Sequence, residues 1–391
     1  MLHRSFRPGI AILLLAVTGT TVAEQGLSED TIKIGQYSDL SGPAAIWGVG
    51  STNGTRMRFE EANEAGGIHG RKIEFVVEDA QYQVPLSVRA ANKLLNRDKV
   101  FVMVGNMGTP MNNAVMPTQF KKGVANLFPL TAAVSMYEPL HPMKFSYFVS
   151  YRDQARAGMS HMVEQTGVSK VCLQTQATDY GQEVEIGYQQ AVADLGLESV
   201  YIGRHKVTET DFVGTVTGLK NSGCEMLVIG TIIKDTILLY STARKAGWDV
   251  PILGNMVVQH PLIAEGADGI MEGLYSASPV IIPDFFAPGD ENAWRRDWFQ
   301  RYTERFGEEP SVQAQIGYVT ADLTVRAIES AGRELTTGKM LKGMEQIRDY
   351  QDPFGGPSLS FGPDKHQGAD ALYLSQVRNS RWEVVEKDLP Y

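Results

Sequence analysis

"TIKIGQYSD" (31–39), "NGTRMRFEEANEAGG" (53–67), "KIEFVVEDA" (72–80), "PLSVRAANKLLNRD" (85–98) and "VFVMVGN" (100–106) follow one another near the start of the chain. Short runs rich in β-branched and aromatic residues alternate with longer amphipathic runs, the pattern of parallel strands joined by covering helices. The first helix is expected from Asn53, with Met57, Phe59 and Ala62 on its inner face and Gly66 and Gly67 ending it. Before it comes "LSGPAAIWG" (40–48), which puts Trp47 in a loop beyond the carboxyl end of a strand. Ligands of open parallel sheets bind at that edge, where an indole offers a flat apolar wall. The same residue also reads as a core tryptophan capping the sheet.

The alternation breaks near "HPMKFSYFVSYRDQ" (141–154) and then resumes with "KVCLQTQA" (170–177), "GQEVEIGYQQAVADLG" (181–196), "SVYIGRHKV" (199–207), "EMLVIGT" (225–231), "TILLYSTARKAG" (236–247) and "PILGNMV" (251–257). Two such units in tandem imply two doubly wound α/β lobes, and 391 residues exceed what one core usually organises. From about Leu274 the sequence turns helix-rich, and a tail of short strands, "PSLSF" (357–361) and "DALYLSQVRNSRWEVV" (370–385), closes the chain.

Residues 1–23 read as a secretory signal peptide: Arg4 and Arg7 without an acid, the apolar run "IAILLLAV", and small residues before a cut at Ala23/Glu24. The apolar run is too short for a transmembrane helix. No lipid-acceptor cysteine sits at the cut, which favours release into the periplasm over anchoring. Loss of the two arginines takes the net charge from −9 to −11, arguing against a nucleic-acid or anionic-membrane partner. Cys172 and Cys224 each open an expected strand. An oxidising compartment allows a disulfide, but neighbouring parallel strands seldom meet bridge geometry, so two buried thiols are the favoured reading.

Catalytic signatures are missing. Seven histidines are scattered without metal-ligand spacing, so no metal is expected. Neither a phosphate-binding GxxxxGK[ST] loop nor a GxSxG elbow is present. "GVGSTNG" (48–54) only approaches a dinucleotide fingerprint and reads as the start of a helix, so no cofactor is expected; the Asn53 sequon is read as accidental. A secreted hydrolase would need a nucleophile and base, and none is legible. Binding is the reading that remains.

"SGPAAIWG", "EANEAGGIHGRKIEFVVEDA", "NKLLNRDKVFVMVGNMGT", "DYGQE", "DFVGTVTGLKNSG" and "LYSTARKAGW" occur in order along the mature chain. Together they resemble the type I periplasmic solute-binding proteins of ABC transporters, in the leucine/isoleucine/valine-binding group. The resemblance implies two lobes joined by a three-crossover hinge, with lobe 1 made of 24–148 plus 275–350 and lobe 2 of 149–274 plus 351–391. It implies no enzyme activity, a small-molecule ligand, a permease partner in the inner membrane and a monomer that does not itself insert into the membrane. A ligand-sensing subunit that presents the same ligand to a receptor or regulator is the alternative.

The resemblance also carries site residues. Gly108 and Thr109 of "GNMGTP" match the loop that holds the ligand's carboxylate, and amides and a hydroxyl at a helix N-terminus favour an anion on physical grounds alone. Leu130, Thr131 and Ala132 match a second loop contacting carboxylate and amine; Trp47 matches an aromatic wall, and Tyr180 a second-lobe tyrosine that closes over the ligand. Asp79 and Asp211 match recurring positions and are assigned to loop and cap hydrogen bonds. Where amino-acid binders carry a carboxylate for the ligand's ammonium, this chain has Met256 or Asn255, and where they have another tyrosine it has Ile232. A three-residue shift would bring Asp235 or Gln259 there instead. The expected ligand is therefore a small carboxylate, either a branched-chain amino acid or an apolar or aromatic organic acid, with Met107, Met256 and Trp47 around its body.

Overall fold

The computed structural model describes residues 24–266 and 269–391. The signal-peptide reading falls on residues 1–23, outside the described residues. The chain opens with β1 (Thr31–Ser38), α1 (Ala45–Glu64), β2 (Lys72–Asp79), α2 (Val84–Lys93), β3 (Val102–Val104), α3 (Thr109–Lys121), β4 (Ala125–Leu127) and β5 (Lys144–Phe145). These strands form one parallel sheet in the order β2-β1-β3-β4-β5. There follow α4 (Tyr151–Thr166), β6 (Lys170–Gln176), α5 (Asp179–Leu195), β7 (Glu198–His205), α6 (Val213–Asn221), β8 (Met226–Gly230), α7 (Ile233–Lys245), β9 (Ile252–Asn255), α8 (Pro261–Ala264) and β10 (Tyr275–Ser278). After α9 (Ala293–Phe306), α10 (Val312–Ser330) and α11 (Thr337–Glu345) come β11 (Tyr373–Arg378) and β12 (Arg381–Glu386). The second sheet runs β12-β11-β10-β9-β8-β6-β7, parallel except for its antiparallel edge β10-β11-β12. No described helix is long and apolar enough to cross a membrane.

Two expected lobe boundaries move. Residue 275 does not begin the return to lobe 1: β10 pairs with β9 on one side and β11 on the other, so the second crossing follows Ser278. "YSAS" escaped notice because its buried face is made of small and hydroxyl residues. Nor does 351 open the third passage to lobe 2. Leu359 bridges Tyr350 and Ala369, Gln367 bridges Ser146, and Phe361 packs on Phe128 and Phe145, all beside the first sheet. "PSLSF" accordingly makes only isolated bridges there.

Helix α1 begins at Ala45, eight residues before the expected start, so Trp47 stands in its first turn and not in a loop. The glycines that hid this start are packing residues. A Cβ on Gly54 would lie 1.9 Å from the Ala314 carbonyl oxygen, and one on Gly317 would lie 2.0 Å from that of Ser51. Helices α1 and α10 thus meet backbone to backbone, and the Thr55 hydroxyl donates to the Gly317 carbonyl at 3.1 Å. The expected inner face holds: Met57, Phe59 and Ala62 are buried. The helix stops at Gly66 (φ 107°) and Gly67 (φ 81°), where the Gly67 N–H closes on the Ala62 carbonyl.

Cys172 and Cys224 form a disulfide, contrary to the free-thiol expectation. The assumption that failed is the strand start: β8 begins at Met226, so Cys224 lies in the preceding turn, free to approach Cys172 with a Cα separation of 5.8 Å. The bridge spans 52 residues, for which loop-entropy reasoning gives about 4 kcal/mol of stabilisation. Ellman titration of the unfolded, unreduced protein should find no thiol, and reduction should lower the melting temperature; two titratable thiols would contradict the bridge.

His260 accepts the Leu262 N–H at the start of α8, and burial lowers its pKa to about 4. Because the unfolded ring titrates near 6.5, the unfolded chain binds more protons between about pH 6.5 and 4. Stability should fall as pH drops through that window, by up to about 3 kcal/mol from this group. In His260→Asn, which keeps a capping acceptor, urea midpoints at pH 7 and pH 5 should differ less than in the parent.

Candidate ligand-binding site

The carboxyl ends of the two sheets face each other across a cavity lined by Ala44, Trp47, Tyr82, Met107, Gly108, Thr109, Leu130 and Thr131 from one side and Tyr151, Tyr180, Ile232 and Val257 from the other. Its unfilled volume is about 390 Å³, of which about 30 Å³ can be reached by the centre of a water molecule. The larger figure includes space open to solvent; the smaller sets the working size and leaves room for a small ligand only.

The first side is built on buried amides. Asn106 accepts the Tyr37 N–H (3.1 Å) and donates to Asn126 (2.8 Å); Asn126 donates to Asn112 (3.0 Å); Asn112 donates back to the carbonyls of Asn106 (2.9 Å) and Gly108 (2.8 Å). This ring ties the ends of β1, β3 and β4 to the first turns of α3. Gly105 (φ 68°) and Gly108 (φ 91°) let the loop turn tightly enough to bring Thr109 to the cavity. The Thr109 and Thr131 hydroxyls share a hydrogen bond of 2.6 Å there. The initial N–H groups of α3 have no intrahelical acceptor and point out of the helix toward the same corner. Pro110 at its second position contributes no N–H, and no capping side chain covers the turn.

Rings close the rest. Trp47 donates its indole N–H to the Val257 carbonyl at 3.1 Å, bridging the lobes. Tyr180 donates to the Thr231 carbonyl (3.4 Å), accepts from Asn255 (3.0 Å), and stands edge-on to Tyr151 with centroids 4.9 Å apart. Burial pushes the Tyr151 hydroxyl up to about 12 and raises those of Tyr82 and Tyr180 still further, so all three remain neutral at physiological pH. Two further bonds cross between lobes: Asn113 to Asp179 (2.7 Å), and the Val134 N–H to Glu183 (3.2 Å), itself held by Arg152.

Of the nine residues singled out from sequence, Trp47, Gly108, Thr109, Leu130, Thr131, Tyr180 and Ile232 line this one cavity. Ala132 stands behind the wall, its carbonyl accepting the Tyr151 N–H. Met256 is fully buried outside the lining; its N–H is tied to Gln154 at 3.0 Å, and the turn after β9 presents Val257 instead. Asn255 serves Tyr180 and the Val257 N–H. Asp79 accepts from Leu40, Ser41 and Gln81, and Asp211 from the Val213 N–H, as loop and cap groups. Sequence reading missed Tyr82, Tyr151 and Val257. Tyr82 reaches the cavity because Gln81 and Tyr82 both adopt left-handed backbone (φ 50° and 52°), a costly pair that places the ring against Gly108. The signal was the "DAQYQ" turn after β2, on the same sheet edge as Trp47.

The fold is two-lobed, with a cavity between the carboxyl ends of its two sheets. The chain belongs to the periplasmic binding protein family, whose model matches residues 31–381. This is a family of solute-binding proteins, not of enzymes. A relative from Pseudomonas aeruginosa, the leucine-, isoleucine-, valine-, threonine- and alanine-binding protein, is 24% identical over 265 residues, covering 68% of this chain and 70% of the relative. Among solved structures, a fatty acid ABC transporter substrate-binding protein from Thermomonospora curvata superposes with a TM-score of 0.83 at 21% identity, covering 94% of this chain and 96% of the other. An ABC transporter solute-binding protein from R. palustris in complex with benzoate gives 0.80 at 17% identity, covering 92% and 97%.

The buried asparagine ring generates a prediction. Asn106→Ala strands the Tyr37 N–H and the Asn126 amide oxygen, each costing about 1–3 kcal/mol. Urea unfolding should show a drop of at least that size; an unchanged midpoint would mean that the ring does not hold the loop.

Proposed function

We propose that this protein is the extracytoplasmic solute-binding subunit of an ABC importer. Exported to the periplasm by its cleaved leader, it captures a small carboxylate-bearing ligand, a branched-chain amino acid or an apolar or aromatic organic acid, between lobes that close on it. It then delivers the ligand, as a monomer, to an inner-membrane permease.

One observation carries this reading: the Thr109–Thr131 hydroxyl pair stands at the uncapped start of α3, on one wall of a cavity otherwise apolar and aromatic. Helix N-termini favour anions through unpaired N–H groups and the helix dipole. The carboxylate would rest on Gly108, Thr109 and Thr131, with Trp47, Met107, Leu130, Tyr180, Ile232 and Val257 around the body. Bonds such as Trp47 to Val257 form only when the lobes meet, so a ligand touching both walls favours the closed population. The ligands in the names of similar proteins, leucine, isoleucine, valine, threonine, alanine, fatty acid and benzoate, all carry a carboxylate.

The test is a thermal-shift screen of dialysed mature protein against amino acids and amine-free carboxylates. A true ligand raises the melting temperature further as its concentration increases, roughly with the logarithm of that concentration above its Kd. Thr109→Val should weaken that ligand about 10- to 100-fold, the worth of one hydrogen bond to a charged group, and should cost the unliganded protein about 1 kcal/mol because the buried Thr131 hydroxyl loses its partner. Unchanged affinity in that variant would remove Thr109 from the site.

A further inference from the structure

Resting on the carboxylate-site reading above, we infer that the ligand carries no ammonium group, so that the cavity takes apolar or aromatic monocarboxylates and rejects α-amino acids. None of the twelve lining residues is an acid. Each carboxylate that the chain brings near the cavity is committed elsewhere. Asp39, beside β1, spends both oxygens on the N–H groups of Ser41, Gly42 and Ala44. Asp179 and Glu183 flank Tyr180 but serve Asn113 and the Arg152 guanidinium. Asp235, three residues after Ile232, is wholly buried outside the lining, with Oδ2 on Gln176 (2.9 Å) and His205 (3.1 Å) and Oδ1 paired at 3.5 Å with the Lys234 ammonium. Gln259, the other candidate for that position, reaches Ser375 instead.

The neighbouring carbonyls are also engaged. Val257 accepts from Trp47, Thr231 from Tyr180, Leu130 from Gly108, and Ala132 from Tyr151. An α-ammonium brings three N–H donors and a full charge, and here it would lose its water without an anion to replace it. Ring faces offer the remaining attraction for a cation. Part of that surface is occupied, since Tyr151 and Tyr180 meet edge to face at 68°, while the Trp47 N–H fixes its ring against Val257 in the ring plane. The neutral phenols can donate to an acid's oxygens or accept from an ammonium, but they bring no negative charge to balance a cation.

The experiment is calorimetry on the dialysed mature protein with pairs differing only in the amine: 4-methylpentanoate against leucine, 3-methylbutanoate against valine, 3-phenylpropanoate against phenylalanine, with benzoate and glycine betaine added. The expected result is binding of at least one amine-free acid, with its amino-acid partner weaker by about 100-fold or more. Thr109→Val should weaken the acid, placing it at this site, and Ile232→Glu should narrow or invert the ratio by supplying the missing anion. An amino acid binding as tightly as its amine-free partner overturns the inference and leaves the carboxylate-site reading standing. Tight glycine betaine also overturns it, by showing that the rings hold a cation. Binding of neither member of any pair, nor of benzoate, overturns both.

Discussion

Asn106 is the residue on which the site depends. Its side chain accepts from one strand and donates to another, while its backbone carbonyl holds Asn112 in the helix that follows. A buried amide ring of this kind is stable only when every member is satisfied, so it fixes one geometry where an apolar core would tolerate several. That geometry sets where α3 begins and therefore where its unpaired N–H groups and the Thr109 hydroxyl lie.

The second constraint is electrostatic. Around the cavity the nearby carboxylates are each held by a cap, an amide or a guanidinium, and the three phenols are kept neutral by burial. The lining itself therefore offers polar groups but no ionised side chain. In a region of low dielectric such a site stabilises an anion through dipoles while offering nothing to balance a cation.

How much of this was legible in the sequence follows from what each residue's neighbours reveal. The strand–helix alternation and the two-lobe division were legible because burial on both faces of a parallel sheet writes β-branched runs. The start of α1 was not: Gly48, Gly50 and Gly54 look like a loop until α10 arrives to lie against them. Strand β10 was hidden by small residues, and the disulfide by a two-residue error in where β8 begins. Residues just beyond a strand end could be placed at the cavity, Trp47 from the rule that open parallel sheets bind ligands at that edge, and Thr109 and Thr131 from the family resemblance. Val257 instead of Met256 could not, because the turn after β9 decides which of two adjacent apolar side chains faces inward. Tyr82 depended on a pair of left-handed residues that no periodicity signals.

The contact between α1 and α10 also orders the making of the protein in time. The groove on α1 is synthesised near the start of the chain, but the helix that covers it begins at Val312, after nearly the whole second lobe. A chain emerging from its amino end can finish the second lobe's central strands while the first lobe still exposes its glycine-lined seam. Completion of the first lobe is thus a late event, and its seam stays uncovered until α10 is made.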